Sequence, residues 1–329
     1  MKRLLLLLLL PLALGCTTDF DVNADWREIT VMYGLFDPDD SVHYVRVNKA
    51  FLNDEQDALQ LAQLSDSLEY QQEIEVKLWE IVGNAERREI ATLVPTTITN
   101  KDTGTFYYPE QIVYRTPAAN TPLTPGVSYE VEVRNLETGH VATARTDVAL
   151  LFDIKSPAQQ LILPVAPVSI ERGVEVRVTP SANTKTHQIS LVSVPYVEYY
   201  TDNDSAQRSL DIPVSFLLIG SGEVSRTLPE GFIFEEIGAR LDRSNNDRVV
   251  GRKFQFIRIT CTGANGDVER YIAVNNNFSP LTQTKPFFSN VTNGVGLIGS
   301  RVDLTVRPTV DVRSINALAE TYPDLKVVR

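Results

Sequence analysis

Hydrophobic and polar positions alternate along most of this 329-residue chain, and that alternation predicts strands. Ile29 to Leu35 is β-rich and stops at Asp37-Pro38-Asp39-Asp40, a turn-forming cluster. Val42 to Val47 resumes as a strand, with His43, Val45 and Val47 on one face. Ile74, Val76 and Leu78 alternate with Glu75 and Lys77; Trp79 and Ile81 then fall in the opposite phase, which predicts a bulge or burial on both faces. Tyr129, Val131 and Val133 share a face against Glu130, Glu132 and Arg134, and a hairpin turns near Thr138-Gly139. Further on, Val174, Val176 and Val178 alternate with Glu175 and Arg177, and Gln188 to Tyr200 reads as a strand with a tyrosine-rich end. Phe254 to Thr262 and Val268 to Val274 are expected to pair about Asn265-Gly266, which suits a two-residue turn. Val302 to Val306 is a further strand. Helical spacing is confined to three places: Asn53 to Ser65, where Asn53 and Gln56 suit a cap, the stretch around Phe234 to Ile237, and Ser314 to Thr321.

Short strands with frequent turns predict a mainly β protein, with antiparallel pairing rather than a parallel α/β sheet. The stretch Leu123-Thr124-Pro125-Gly126-Val127-Ser128-Tyr129 sets a turn and then returns a tyrosine to it. It resembles the tyrosine corner of fibronectin-III and immunoglobulin-like domains. The expected architecture is therefore an N-terminal immunoglobulin-like antiparallel sandwich over residues 26–150, then a second β-rich domain over 151–329 with one or two short helices. The proline-bearing stretch Phe152 to Pro167 is the expected crossing.

The first residues break the alternation. Lys2 and Arg3 precede an unbroken apolar run from Leu4 to Leu10, and Pro11 to Gly15 leads into Cys16. A positive head, a short apolar run and small residues make a secretory signal over residues 1–15. The run is too short for a bilayer-spanning helix, which needs about 20 residues. Cys16 directly after Gly15 resembles the lipobox of bacterial lipoproteins, with Ala13 where that family prefers Leu. The resemblance implies cleavage before Cys16 and acylation of that residue, so residues 16–25 become a lipidated tether. Asp19 and Asp21 in the tether resemble the acidic surface-export signal of Bacteroidota lipoproteins, which implies an outer-membrane protein at the cell surface.

Composition removes several classes of function. The formal net charge is −11 and no Lys/Arg cluster is present, so nucleic acid is an unfavourable partner. The same charge leaves acyl chains as the means of membrane attachment. Only Cys16 and Cys261 are present, so a lipidated Cys16 leaves Cys261 without a disulfide partner in the chain. Cys261 shares a strand face with Ile257 and Ile259 and is expected to be a buried structural thiol. The three histidines, His43, His140 and His187, do not form a metal-ligand pattern, and no nucleophile elbow or phosphate-loop motif occurs. Glycine-rich Asn293 to Gly299 has no lysine and is expected to be a turn or bulge. The acidic turns at Asp37, Asp39 and Asp40, and at Asp202 and Asp204, lack the spacing of an EF-hand. No cofactor and no enzymatic chemistry are expected.

Three features in order, Tyr33-Gly34-Leu35, the Leu123 to Tyr129 corner and Ser289-Asn290 to Gly299, together with the lipobox, resemble an uncharacterised family of Bacteroidota outer-membrane lipoproteins. Members carry a domain of unknown function and are often encoded beside TonB-dependent receptors. The resemblance implies a non-enzymatic accessory or binding subunit of such a transporter or another envelope complex. The alternative is a surface protein that captures glycan or peptide. Tyr196, Tyr199, Tyr200 and Trp79 are the candidate ligand platform, with Tyr107 and Tyr108 as further rings. Ser41, Ser67 and Ser205 each follow an aspartate in a pattern resembling Bacteroidota O-glycosylation sites.

Overall fold

Strand alternation sorts the side chains into two cores. The computed structural model describes residues 28–50, 58–70, 74–83, 86–99, 102–117, 120–157, 168–218, 222–276 and 287–328. The signal, the tether with Cys16, Trp26 and the Asn53 cap lie outside the described residues. In β1 (Thr30–Phe36), Met32 and Phe36 face inward, and in β2 (Tyr44–Lys49) so do Val45 and Val47. These strands continue through β6 (Gln111–Arg115) to β5 (Val94–Ile98) at the edge. Opposite them lies a sheet of β3 (Ile74–Val82), β4 (Glu86–Thr92), β7 (Ser128–Asn135), β8 (Val141–Asp147) and the two-residue β16 (Val291–Thr292). Val76, Leu78, Val131, Val133 and Ala144 from this sheet meet Met32, Phe36, Val45 and Val47 from the other. Burying each larger side chain contributes about 1.5–3 kcal/mol.

The expected corner is present. The Tyr129 hydroxyl accepts the Thr124 N–H at 3.0 Å, and Tyr129 is buried. The phase change at Trp79 is a register shift between Leu78 and Trp79 in the pairing of β3 with β4. The pairing is not wholly antiparallel, however. β17 (Gly294–Val306) runs parallel to β1, from Thr30 opposite Gly294 to Phe36 opposite Ser300. Glycine is required there. Gly296 has φ 132°, and a Cβ on it would lie 1.9 Å from the Met32 carbonyl oxygen. The glycine-rich stretch is thus mostly strand.

The second core continues the same large sheet. The C-terminal half of β17 pairs with β15 (Arg258–Asn265), which pairs with the long β11 (Thr184–Tyr200), and β12 (Ser205–Leu218) closes the edge. β14 (Val249–Phe254) pairs with the far end of β11. A small sheet of β9 (Asp153–Ser156), β10 (Glu175–Thr179) and β13 (Val224–Thr227) belongs to the same core. So residues 291–300, which the division at 150 assigned to the second domain, complete the first sandwich.

Two short helices, α1 (Ala58–Leu61) and α2 (Ser65–Leu68), fall within or at the end of the first predicted helical stretch. Among the described residues after 150 there are three α-helices: α3 (Phe232–Arg240), α4 (Gly266–Asn276) and α5 (Val312–Thr321). α3 and α5 lie where helical spacing predicted them. α4 replaces the expected hairpin about Asn265-Gly266. Asn265 is buried; its carbonyl oxygen Oδ1 accepts the Val268 N–H at 3.3 Å, as a helix cap does. Its amide donates to Thr146 Oγ1 at 2.7 Å and to the Asp147 carbonyl at 2.8 Å, which ties this junction to β8.

Candidate functional site

The predicted tyrosine platform does not assemble. Tyr196 and Tyr200 are buried on the inner face of β11, with Glu198 between them, whereas Tyr199 lies on the other face and is exposed. Tyr196 packs against Phe254 with ring centroids 5.4 Å apart. Trp79 sits on β3 in the first sandwich, under the Arg87 guanidinium at 4.6 Å. Among the three serines, Ser41 and Ser205 are exposed and Ser67 is half-buried in α2.

Burial accounts for the other singled-out groups. His187 is fully buried against Phe152, neither ring nitrogen has a hydrogen-bond partner among the described residues, and desolvation lowers its pKa to about 4. Burial lowers His43 as well, although its Nε2 lies 2.8 Å from the Thr121 carbonyl. The Cys261 thiol is buried and pushed up to about 12, first by desolvation and then by Asp303, which suits a structural thiol. Asp37 is raised mainly by burial and accepts the Asp39 N–H; Asp202 pairs with Arg248 at 3.2 Å. No group of three or more potential metal ligands comes together among the described residues.

What the fold does assemble is a pocket of about 260 Å³ on the outer face of β1 and β2. Alternation makes its floor. Met32 and Phe36 point inward, so Val31 and Tyr33 point outward, directly opposite Asn48 and Arg46 of β2. The Arg46 guanidinium lies 5.8 Å from the Tyr33 ring centroid, and its Nε donates to Asn48 Oδ1 at 2.8 Å. Burial raises the Tyr33 pKa, the neighbouring Tyr271 phenol adds to the shift, and Arg46 opposes it. Leu68 and Glu69 form one wall, and Phe106, Tyr107 and Glu110 form another.

Hydrogen bonds hold those walls in place. The Asn48 amide donates to the Leu68 carbonyl at 3.1 Å, and Glu69 Oε1 accepts the Ile112 N–H at 3.1 Å. The Tyr107 N–H donates to the Ala62 carbonyl at 2.8 Å, and the Gln63 amide donates to the carbonyls of Gly104 and Thr105. A pocket with aromatic and aliphatic lining and a few convergent charges is the usual form of a binding site. Tyr107 is one of the further rings singled out in the sequence, and the fold leaves it half-buried. Val31 and Tyr33 belong to a stretch whose β-rich composition announced a strand, but Leu68 and Glu69 reach the site only through tertiary folding.

Sequence reasoning also missed a buried ion pair. Arg252 and Glu198 are both buried, with Nε to Oε1 at 2.8 Å. Arg252 Nη1 donates to Asn246 Oδ1 at 2.8 Å and to the Leu325 carbonyl at 3.1 Å, and Nη2 donates to the Asp242 carbonyl at 3.1 Å. Glu198 Oε2 accepts the Tyr200 hydroxyl at 2.9 Å. Backbone bonds between Arg252 and both Lys326 and Val328 add the C-terminal segment. This network ties β11 and β14 to the C-terminal segment.

No family model matches the chain, and no curated protein matches it. Among solved structures it is similar to the C-terminal globular domain of oligosaccharyltransferase from Pyrococcus abyssi, with 8% sequence identity and a TM-score of 0.19. That alignment covers 86% of this chain and about half, 49%, of the other, and a likeness at this level carries no argument about function.

Proposed function

We propose that this protein is a non-enzymatic, lipid-anchored binding protein of the outer membrane. It captures a peptide at the cell surface as an accessory to a transporter or another envelope complex. The observation that supports capture is the pocket beside Tyr33 and Arg46, with its walls pinned by hydrogen bonds. Its apolar lining accepts one hydrophobic side chain, and Arg46 and Lys49 stand beside Glu69 and Glu110 to engage the polar backbone or a terminus. A volume of about 260 Å³ suits a side chain better than a folded partner.

The anchor belongs to the sequence part of this reading: Cys16 carries the lipid, which concentrates the protein near membrane partners. Partnership with a TonB-dependent receptor follows from the family resemblance. Titration of a peptide library into the mature chain tests capture. Tyr107→Ala and Arg46→Ala should each weaken the selected peptide about tenfold. Binding that both variants leave unchanged defeats the pocket assignment. Cys16→Ser should release the protein from membranes, and native purification should recover a barrel transporter in fixed ratio.

A further inference from the structure

A second concavity, of about 460 Å³, opens on the outer face of the large sheet where β11 and β12 meet β14 and β15. Strand register builds it. Val197 lies opposite both Gln207 and Lys253, Pro195 opposite Ser209, and Ser193 opposite Arg258. These side chains share the face away from Tyr196 and the core. Between the two strands the chain carries an extra residue, since Phe254 faces Tyr196 while Arg258 faces Ser193. That bulge sets Phe256 beside Arg258, whose guanidinium lies 5.6 Å from the ring centroid.

The charge of this concavity runs against that of the chain. The protein has a net charge of −11, yet the ionised lining residues on this face are Lys253 and Arg258, with no carboxylate in the lining; Arg208, opposite Tyr196, turns to the other face. Arg208 is already engaged, its Nε 3.5 Å from Glu198 Oε2. Asp211, across Ser193 in the same row as Arg258, accepts the Ser209 hydroxyl at 2.8 Å. Among the described residues neither Lys253 nor Arg258 has an ion-pair partner, and the Arg258 Nε–H is buried with no acceptor. A buried donor left without an acceptor is costly, and an arriving oxyanion satisfies it.

We propose that this concavity is a second binding site, which takes an acidic saccharide. The sugar's carboxylate or sulfate sits between Lys253 and Arg258, and its apolar face lies on Phe256. The amides of Gln207 and Gln255 and the hydroxyl of Ser209 meet its hydroxyl groups. Two cations among neutral amides and hydroxyls favour a singly charged sugar unit over a densely charged polymer.

Calorimetric titration of the mature full-length chain tests this, with a galacturonate trisaccharide, a sulfated galactose disaccharide and uncharged maltotriose as probes. At least one acidic probe should bind, maltotriose at least about tenfold more weakly, and 300 mM salt should weaken the acidic probe. Lys253→Gln and Arg258→Gln should each reduce affinity about tenfold, while Tyr107→Ala in the first pocket leaves it unchanged. Circular dichroism confirms that each variant is folded; Lys253→Gln, on the outer face of a strand, carries the test if Arg258→Gln does not fold. Equal affinity for maltotriose, absence of binding by both acidic probes, or unchanged affinity in folded Lys253→Gln overturns the proposal.

Discussion

Arg252 shows how one side chain can organise a region. All three of its guanidinium nitrogens have acceptors, and Glu198 compensates its charge. Removing the cation leaves the buried Glu198 carboxylate with only the half-exposed Arg208 to offset it, so Arg252→Ala should cost about 3 kcal/mol in urea unfolding. It should also loosen the segment after Leu325, read as faster amide exchange at Val328. His187 gives a prediction in pH. Its folded pKa of about 4 lies below the ordinary 6.5, so between these values the unfolded chain holds a proton that the folded chain does not. Stability is unaffected by this group above pH 6.5 and falls as pH drops through that window, by about 2–3 kcal/mol at pH 4.5. His43, lowered in the same direction, adds to the fall. His187→Leu should remove the larger part of the acid sensitivity; an unchanged profile from pH 7 to 4.5 would show that burial of His187 is not its source.

At the scale of elements, β17 matters most. Its first half sits parallel to β1 and its second half antiparallel to β15, so one strand belongs to both cores. The close approach at Gly296 leaves no space for a Cβ and demands a positive φ. Gly296→Ala should therefore destabilise by about 3 kcal/mol or more, since strain and a backbone clash act together. Hydrogen exchange should show the loss at Met32 and Gly34 as well as in β17. Protection lost only within β17 would mean that β1 does not depend on this register. At the next junction, Asn265 illustrates a choice between two local solutions. Asn-Gly suits a tight hairpin, but the same Asn side chain can cap a helix and bond a neighbouring strand.

For the whole molecule, the shared sheet argues against independent halves. Polar bonds reinforce it: the Ser300 hydroxyl donates to the Phe36 carbonyl at 2.8 Å and accepts the Ala149 N–H at 2.9 Å. The Asn183 amide reaches the Val148 carbonyl at 2.9 Å. Scanning calorimetry should show one cooperative transition, with calorimetric and van't Hoff enthalpies in agreement. Two resolved transitions would mean that β17 does not couple the cores. The two proposed sites occupy different ends of this common sheet, one beside β1 and β2 and the other beside β11 and β14.

The sequence by itself determined the features that depend on near neighbours in the chain. Alternation located β3, β7 and β10, because a strand's inward and outward faces are set by every second residue, and β-rich composition located β1 and most of β11. Pro125-Gly126 and Tyr129 announced their corner because its hydrogen bond spans only from Thr124 to Tyr129. Cys261 read as a buried thiol from its own strand. Tertiary structure alone decided what joins residues far apart: β17 entering beside β1, Asn265 capping a helix while bonding β8, and Glu198 meeting Arg252 on the face expected to display tyrosines. Both candidate sites belong to this second class. The first is walled by the end of α2 and the loop before β6, the second by the bulge between β14 and β15, and no short stretch of residues encodes either juxtaposition.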